Sequence, residues 1–154
     1  MTTLYVGNRR LLKLASYLEG VDARRKLLGL PGYEQGAFQH ACGTPACALG
    51  THAANNRRRW LLPGPIECGE FGQHTGSPRL KSVPEVNLDG CRVYDPTVAS
   101  GVHEFALGTS DEFTELFGGR GCGRAETGKQ AARYIRKFVA RRVTAAEKAK
   151  KRAA

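Results

Sequence analysis

Apolar and polar positions recur along this chain with two periods, which divide it into helices, loops and one candidate hairpin. In "NRRLLKLASYLEG", residues 8–20, Leu11, Leu12, Ala15, Tyr17 and Leu18 fall at the three- and four-residue spacing of a single helix face. Asn8 stands where a side-chain oxygen can cap the first N–H groups, and Gly20 where the helix can stop. The following "DARRKLLGLPGYEQGAFQHACG" is interrupted by Gly and Pro and is expected to be loop with short extended pieces. Thr44 and Pro45 predict a second helix running through Ala54. Thr is a favoured cap, and Pro at the first helical position gives up no intrahelical hydrogen bond. From Pro63 to Ser82 Gly and Pro are dense and no period holds, which predicts a long loop.

"VNLDGCRVY", residues 86–94, alternates about Asp89-Gly90, a pair suited to the positive φ angles of a two-residue hairpin turn. Asp95-Pro96 predicts a third helix ending near Gly108. Thr109 or Ser110 caps a fourth, with Glu112 three residues after Thr109 as a capping box, and Leu116-Phe117 close it. A last helix, capped near Thr127, sets Ala131, Ile135, Phe138 and Val139 on one face and is expected to dissolve in "EKAKKR". The pattern gives an α+β fold class: a mostly helical single domain of four or five helices with one small β-hairpin near 86–94. Residues 1–143 are expected to be globular and 144–154 a basic tail.

Composition changes this picture in one respect. At 154 residues, 41% hydrophobic and 25% charged, the chain suits a globular protein with one moderate core. No run approaches the roughly 20 apolar residues of a membrane span. The N-terminal stretch has no apolar region before a small-residue cleavage site, so the chain reads as intracellular and cytoplasmic. The net charge of +10 looks like a nucleic-acid signal until it is located. Residues 131–154 hold nine Lys/Arg and one acid, Glu147, which leaves only +2 for the first 130 residues. A basic C-terminal segment favours polyanions through counterion release, without choice of sequence; the plainer alternative is a solvated helix that keeps the protein soluble.

"HACGTPACALGTH", residues 40–52, is the densest chemistry. As a zinc site it would use His40, Cys42, Cys47 and His52, but Cys47 and His52 are five apart, about 140° around a helix, where ligands want three or four. Cys68, His74 or Cys91 would have to complete such a site. As an enzyme, Cys42 or Cys47 would be a nucleophile activated at a helix N-terminus, with His52 nearby. The structural alternative makes both cysteines small buried hydrophobes in a helix of small residues, and it explains the most residues with the fewest assumptions. The five cysteines are an odd set without a Cys-x-x-Cys pair, which argues against a disulfide framework.

Two basic stretches complete the candidates. "GRAETGKQ", residues 123–130, matches the spacing of a phosphate-binding loop but has Gln130 where Mg²⁺ binding needs Ser or Thr, and a helix rather than a strand precedes it. Arg120, Arg124 and Lys129 could still hold a phosphate without chemistry. "NNRRRWLL" places Arg57, Arg58 and Arg59 beside the single Trp60, suited either to backbone contacts with base stacking or to a helix end with Trp60 turned into the core. Arg133, Arg136, Lys137, Arg141 and Arg142 extend the anion-binding set along the last helix. No cofactor is expected.

Together, helix 8–20, "CGTPACALGTHAA", "NLDGCRVYDP", "HEFALGTSDEFTELF" and "TGKQAARYIRKFVARR" resemble a group of small proteins of bacterial viruses and their hosts. These carry a Cys-Gly-Thr-x-x-Cys-x-x-Gly segment and a terminal amphipathic helix. The likeness spans most of residues 8–142, and Thr51 stands here where that group places His or Trp directly after the glycine. The resemblance implies a setting, the bacterial cytoplasm during infection, rather than a mechanism. The expected function is a non-enzymatic accessory protein that binds an anionic partner: nucleic acid, a nucleotide signal or an acidic host protein. The alternatives are the cysteine-dependent enzyme and a virion component.

Overall fold

Two long helices, α1 (Thr3–Leu18) and α6 (Gly128–Ala153), form the spine. The computed structural model describes residues 3–34, 46–62, 78–82, 96–118 and 121–153. Within them lie α2 (Val21–Leu27), α3 (Ala48–Asn55), α4 (Pro96–Phe105), α5 (Ser110–Phe117) and a two-stranded sheet that packs on α3 and α4, and a 3₁₀ turn (Cys122–Arg124) precedes α6. Strands β1 (Trp60–Leu61) and β2 (Arg79–Leu80) pair antiparallel, Trp60 opposite Leu80. The result is a helical α+β domain. The hairpin expected about Asp89-Gly90 lies outside the described residues.

Helices α1 and α6 run antiparallel. Gly128 sits beside Leu18 and Val21, Arg136 reaches Ser16 and Glu19, and Arg142 reaches Asn8. Leu11, Ala15 and Leu18 of α1 join Ala131, Ala132, Ile135, Phe138 and Val139 of α6 in one buried cluster. At roughly 1.5–3 kcal/mol per buried aliphatic side chain, this seam is the main apolar contact of the fold. The sequence stripe is corrected at its edges: Leu14 is buried, whereas Leu12 and Tyr17 are 38% and 39% exposed. Helix α1 also begins at Thr3, a turn before Asn8, whose carboxamide oxygen accepts from Arg142.

The stretch expected to be loop after Gly20 contains α2. Gly29 and Pro31 punctuate the end of that helix rather than preventing it. Gly29 takes φ +64°, while the Leu30 N–H reaches the Arg25 carbonyl at 2.9 Å and the Gly29 N–H the Lys26 carbonyl at 3.2 Å. This is a Schellman ending, which favours glycine at the left-handed position. Arg25 is buried and ties three segments together, donating to Gly32 O, Ala46 O and Thr51 Oγ1.

Helix α3 starts later than expected. Its cap is Cys47, whose sulfur accepts the Gly50 N–H at 3.3 Å; Thr44 and Pro45 lie outside the described residues. Ala48 to Ala53 are all buried, as the run of small residues implied. Helix α4 closes on the same kind of motif as α2, with the Leu107 N–H on the Val102 carbonyl, but places Ala106 at φ +49°. The Arg142 guanidinium covers the carbonyl oxygens of Phe105 and Ala106 there, a cation at a helix C-terminus. The α5 cap forms with its return bond shifted by one residue: Thr109 Oγ1 accepts the Glu112 N–H at 3.3 Å, and the Glu112 carboxylate accepts the N–H of Gly108, before the cap, at 2.6 Å. Helix α6 does not dissolve at "EKAKKR" but continues to Ala153.

Gly7 fixes how α1 meets α4. A Cβ there would stand 2.1 Å from the Phe105 carbonyl oxygen, so the two backbones touch at a point no other residue permits. That crossing brings the outer side of α1 over the end of α4, where the candidate site lies.

Candidate functional site

On α4 the buried positions Thr97, Ser100, Gly101, Glu104 and Phe105 follow the helix period, which carries a carboxylate into the interior. Glu104 is only 1% exposed, and three elements converge on it. From α1, Arg10 Nη1 donates to Glu104 Oε2 at 3.3 Å and to the Glu104 carbonyl at 2.8 Å. From the turn after α3, Arg59 closes a fork, Nη1 to Oε1 at 3.1 Å and Nη2 to Oε2 at 2.6 Å. From α3, His52 Nε2 lies 3.1 Å from Oε1. The His52 ring is held edge-on by Phe105 at 4.8 Å and Trp60 at 5.8 Å.

Burial alone would push the Glu104 carboxyl up. The hydrogen bond and charge of His52, with the Arg10 and Arg59 guanidiniums, outweigh it and hold the group below the usual carboxylate range. Two guanidiniums facing one carboxylate leave the cluster net positive. The bidentate Arg59 geometry is the strong form of such a pair.

Above this cluster an open groove of about 700 Å³ runs along α1 toward the end of α3. Its charged lining consists of Arg9, Arg10, Lys13, Arg24 and Arg59 against Glu104. Arg9 and Lys13, one turn apart, are exposed at the rim, with Tyr5 and Tyr17 toward the two ends and Asn55 and Asn56 in the wall. Arg24 lies over the Tyr17 ring, its guanidinium carbon 4.1 Å from the ring centre.

Of the residues singled out from sequence, His52 and Arg59 enter this site. Arg57 and Arg58 are exposed in the turn beside Arg59, and Trp60 is buried in the core. Arg142 is engaged on the α4 terminus, Arg136 pairs with Glu19, and Arg141 pairs with Glu115 at 2.5 Å. Lys129, Arg133 and Lys137 are exposed on α6, and Arg124 is exposed on the 3₁₀ turn. The α6 N-terminus is occupied from within the chain: Asp22 accepts the Gly128 N–H at 2.8 Å, and Thr127 Oγ1 accepts that of Gln130. A carboxylate in that position leaves the near-match to a phosphate loop without its anion seat.

Cys47, a candidate nucleophile, is buried at the start of α3. Burial pushes its thiol up, and the hydrogen bonds at the start of α3 do not reverse that; Cys122 is pushed up to about 12 by the same cause. Both are free, buried thiols. Among the described residues no three His, Cys, Asp or Glu gather as metal ligands. His40, Cys42, Cys68, His74, Cys91 and Arg120 lie outside the described residues. Within them no helix is long and apolar enough to cross a membrane.

No family model, curated protein or solved structure matches the chain. The groove therefore stands on its own chemistry. Sequence reasoning missed Arg9, Arg10, Lys13, Arg24 and Glu104. A signal existed for Glu104: it occupies an apolar-face position of "PTVASGVHEF", where a carboxylate requires partners. No comparable sign marked the cations of α1, which look like ordinary solvated residues until α3 and α4 stand opposite them.

Proposed function

We propose that the protein binds nucleic acid through the groove along α1, as an accessory protein without catalytic chemistry of its own. The observation that carries this reading is the charge of the groove, five cationic side chains around one carboxylate that is itself buried and shared. Cations converging on a cleft raise the local potential and draw in phosphate groups, and counterion release then supplies affinity. The exposed cations of α6, Lys148, Lys150, Lys151 and Arg152 among them, add a second basic surface toward the C-terminal end of that helix. The bacterial cytoplasm during infection, the setting implied by the sequence resemblance, holds such partners in abundance.

The test is fluorescence anisotropy of a labelled oligonucleotide titrated with the full-length protein over a series of NaCl concentrations. Affinity is expected to fall steeply with salt. Replacing Arg9 and Lys13 together by Ala is expected to lower the slope by about two phosphate contacts while the fold stays intact. Absence of binding, or binding indifferent to salt, would count against the reading.

A further inference from the structure

The groove holds more than charge. Arg24 is held over Tyr17 by three features: the ring beneath it, a hydrogen bond from its Nη2 to the Tyr17 carbonyl, and Gly20, where a Cβ would stand 2.7 Å from Nη1. Among the described residues no carboxylate lies within ion-pair distance of Arg24, and its outer side is exposed. A guanidinium held in this way presents a flat, cationic face, which is a stacking surface for an aromatic ring. Tyr5, 54% exposed, stands toward the other end of the groove. The twelve helical steps from Tyr5 to Tyr17 span about 18 Å. Arg9 and Lys13 lie between them, on successive turns.

Position along the groove offers the two halves of a nucleotide different seats. A phosphate is best served at the rim, where Arg9 and Lys13 are exposed. Deeper in, Arg10 and Arg59 are already engaged with Glu104 and have fewer donors left for a phosphate. The Asn56 amide nitrogen donates to the His52 carbonyl, which leaves its oxygen to meet a donor on a neutral ring. Bases in a duplex are stacked on one another and offer no face to such a platform, whereas an unpaired base does.

We propose that the groove takes single-stranded nucleic acid, with a nucleobase stacked on the Arg24–Tyr17 platform and the adjoining phosphates against Arg9 and Lys13. This rests on the reading of the groove as a nucleic-acid site and adds that bases, not only phosphates, are bound.

Three fluorescein-labelled probes of equal length separate the two claims: a single strand, the same strand built wholly of abasic residues, and a blunt duplex. With the full-length protein, the normal strand is expected to bind roughly tenfold tighter than the abasic one at every salt concentration, with the same salt slope, and the duplex to bind more weakly than the normal strand. Arg24→Lys keeps the charge and removes the flat face. It is expected to erase the difference between normal and abasic strands while preserving the salt slope, and Tyr17→Leu is expected to do the same. Equal binding of the abasic strand, a duplex that binds as well as the single strand, or a wild-type preference retained in Arg24→Lys would overturn the stacking proposal and leave the phosphate reading standing. Failure of all three probes to bind would remove both.

Discussion

Helix α1 is held on two of its sides by unlike chemistry. On one side Leu11, Ala15 and Leu18 meet α6 through hydrocarbon alone. On the other, Arg10 crosses to a buried carboxylate that Arg59 and His52 also claim. The apolar seam is graded: each methylene lost weakens it in proportion, and neighbours adjust. The charged side is conditional. Its buried acid is tolerable in the interior only with partners, which Arg10 and Arg59 supply from side chains that are themselves 32% and 43% exposed. The seam holds the helix, and the cluster determines what the exposed side can offer.

The largest test of that contrast removes the shared acid. Glu104→Gln is expected to lower unfolding free energy by about 2–3 kcal/mol in urea, because the part-exposed Arg10 and Arg59 can turn to solvent, whereas Ile135→Val in the seam is expected to lose only about 0.5–1.5 kcal/mol. A Glu104→Gln protein as stable as wild type would show that the cluster contributes no more than any surface pair. Replacing Gly7 by Ala strikes where both sides of α1 depend on one backbone approach, 2.1 Å from the Phe105 oxygen. The expected loss is about 1–3 kcal/mol, read by thermal or chemical denaturation, with weakened nucleic-acid binding as the groove shifts.

Acid distinguishes the two sides without mutation. The Glu104 carboxyl is held below its unfolded value of about 4.3, so its contribution is full above that pH and is lost as pH falls through the lower folded value. Stability measured from pH 6 to pH 3 is expected to decline more in wild type than in Glu104→Gln, while Ile135→Val follows wild type. Parallel curves for wild type and Glu104→Gln would detach the acid response from this cluster. The smallest effect is a gain. Ala106 occupies a left-handed position that Gly29 fills in the equivalent ending of α2, so Ala106→Gly is expected to add about 0.4–1 kcal/mol. A loss instead would mean that the Ala106 methyl, packed near Gly7, matters more than the backbone strain.

How far these features were legible from sequence depends on how local their causes are. The α5 cap could be read directly, since Thr109 and Glu112 act within one turn. The apolar face of α6 was equally plain, but its length was not. A run of Lys and Arg looks like the end of a helix, although these residues are good helix formers and their charge is no obstacle at a C-terminus. Helix α2 is hidden in the sequence because Gly29 and Pro31 signal a break across the whole stretch, although they end only its last turn. The α3 cap was misplaced because Thr44-Pro45 is the stronger local signal, while the start at Cys47 is set in buried surroundings that only the folded chain provides. The groove was least visible of all. Arg10, His52, Arg59 and Glu104 come from separate elements, and nothing in the spacing of 10, 52, 59 and 104 announces that they meet.

Helix α6 has a consequence for the far end of the chain. Residues 143–153 have little beneath them, and eleven residues of this kind alone in water would rarely hold a helix, because the first turn is costly to start. They do not need to start one. The half from Gly128 to Val139, packed against α1, has already nucleated the helix, and each later residue only propagates it. Lys148, Lys150, Lys151 and Arg152 therefore inherit a fixed order around a rod from a seam they never touch, and weakening that seam would be felt first as fraying at their end.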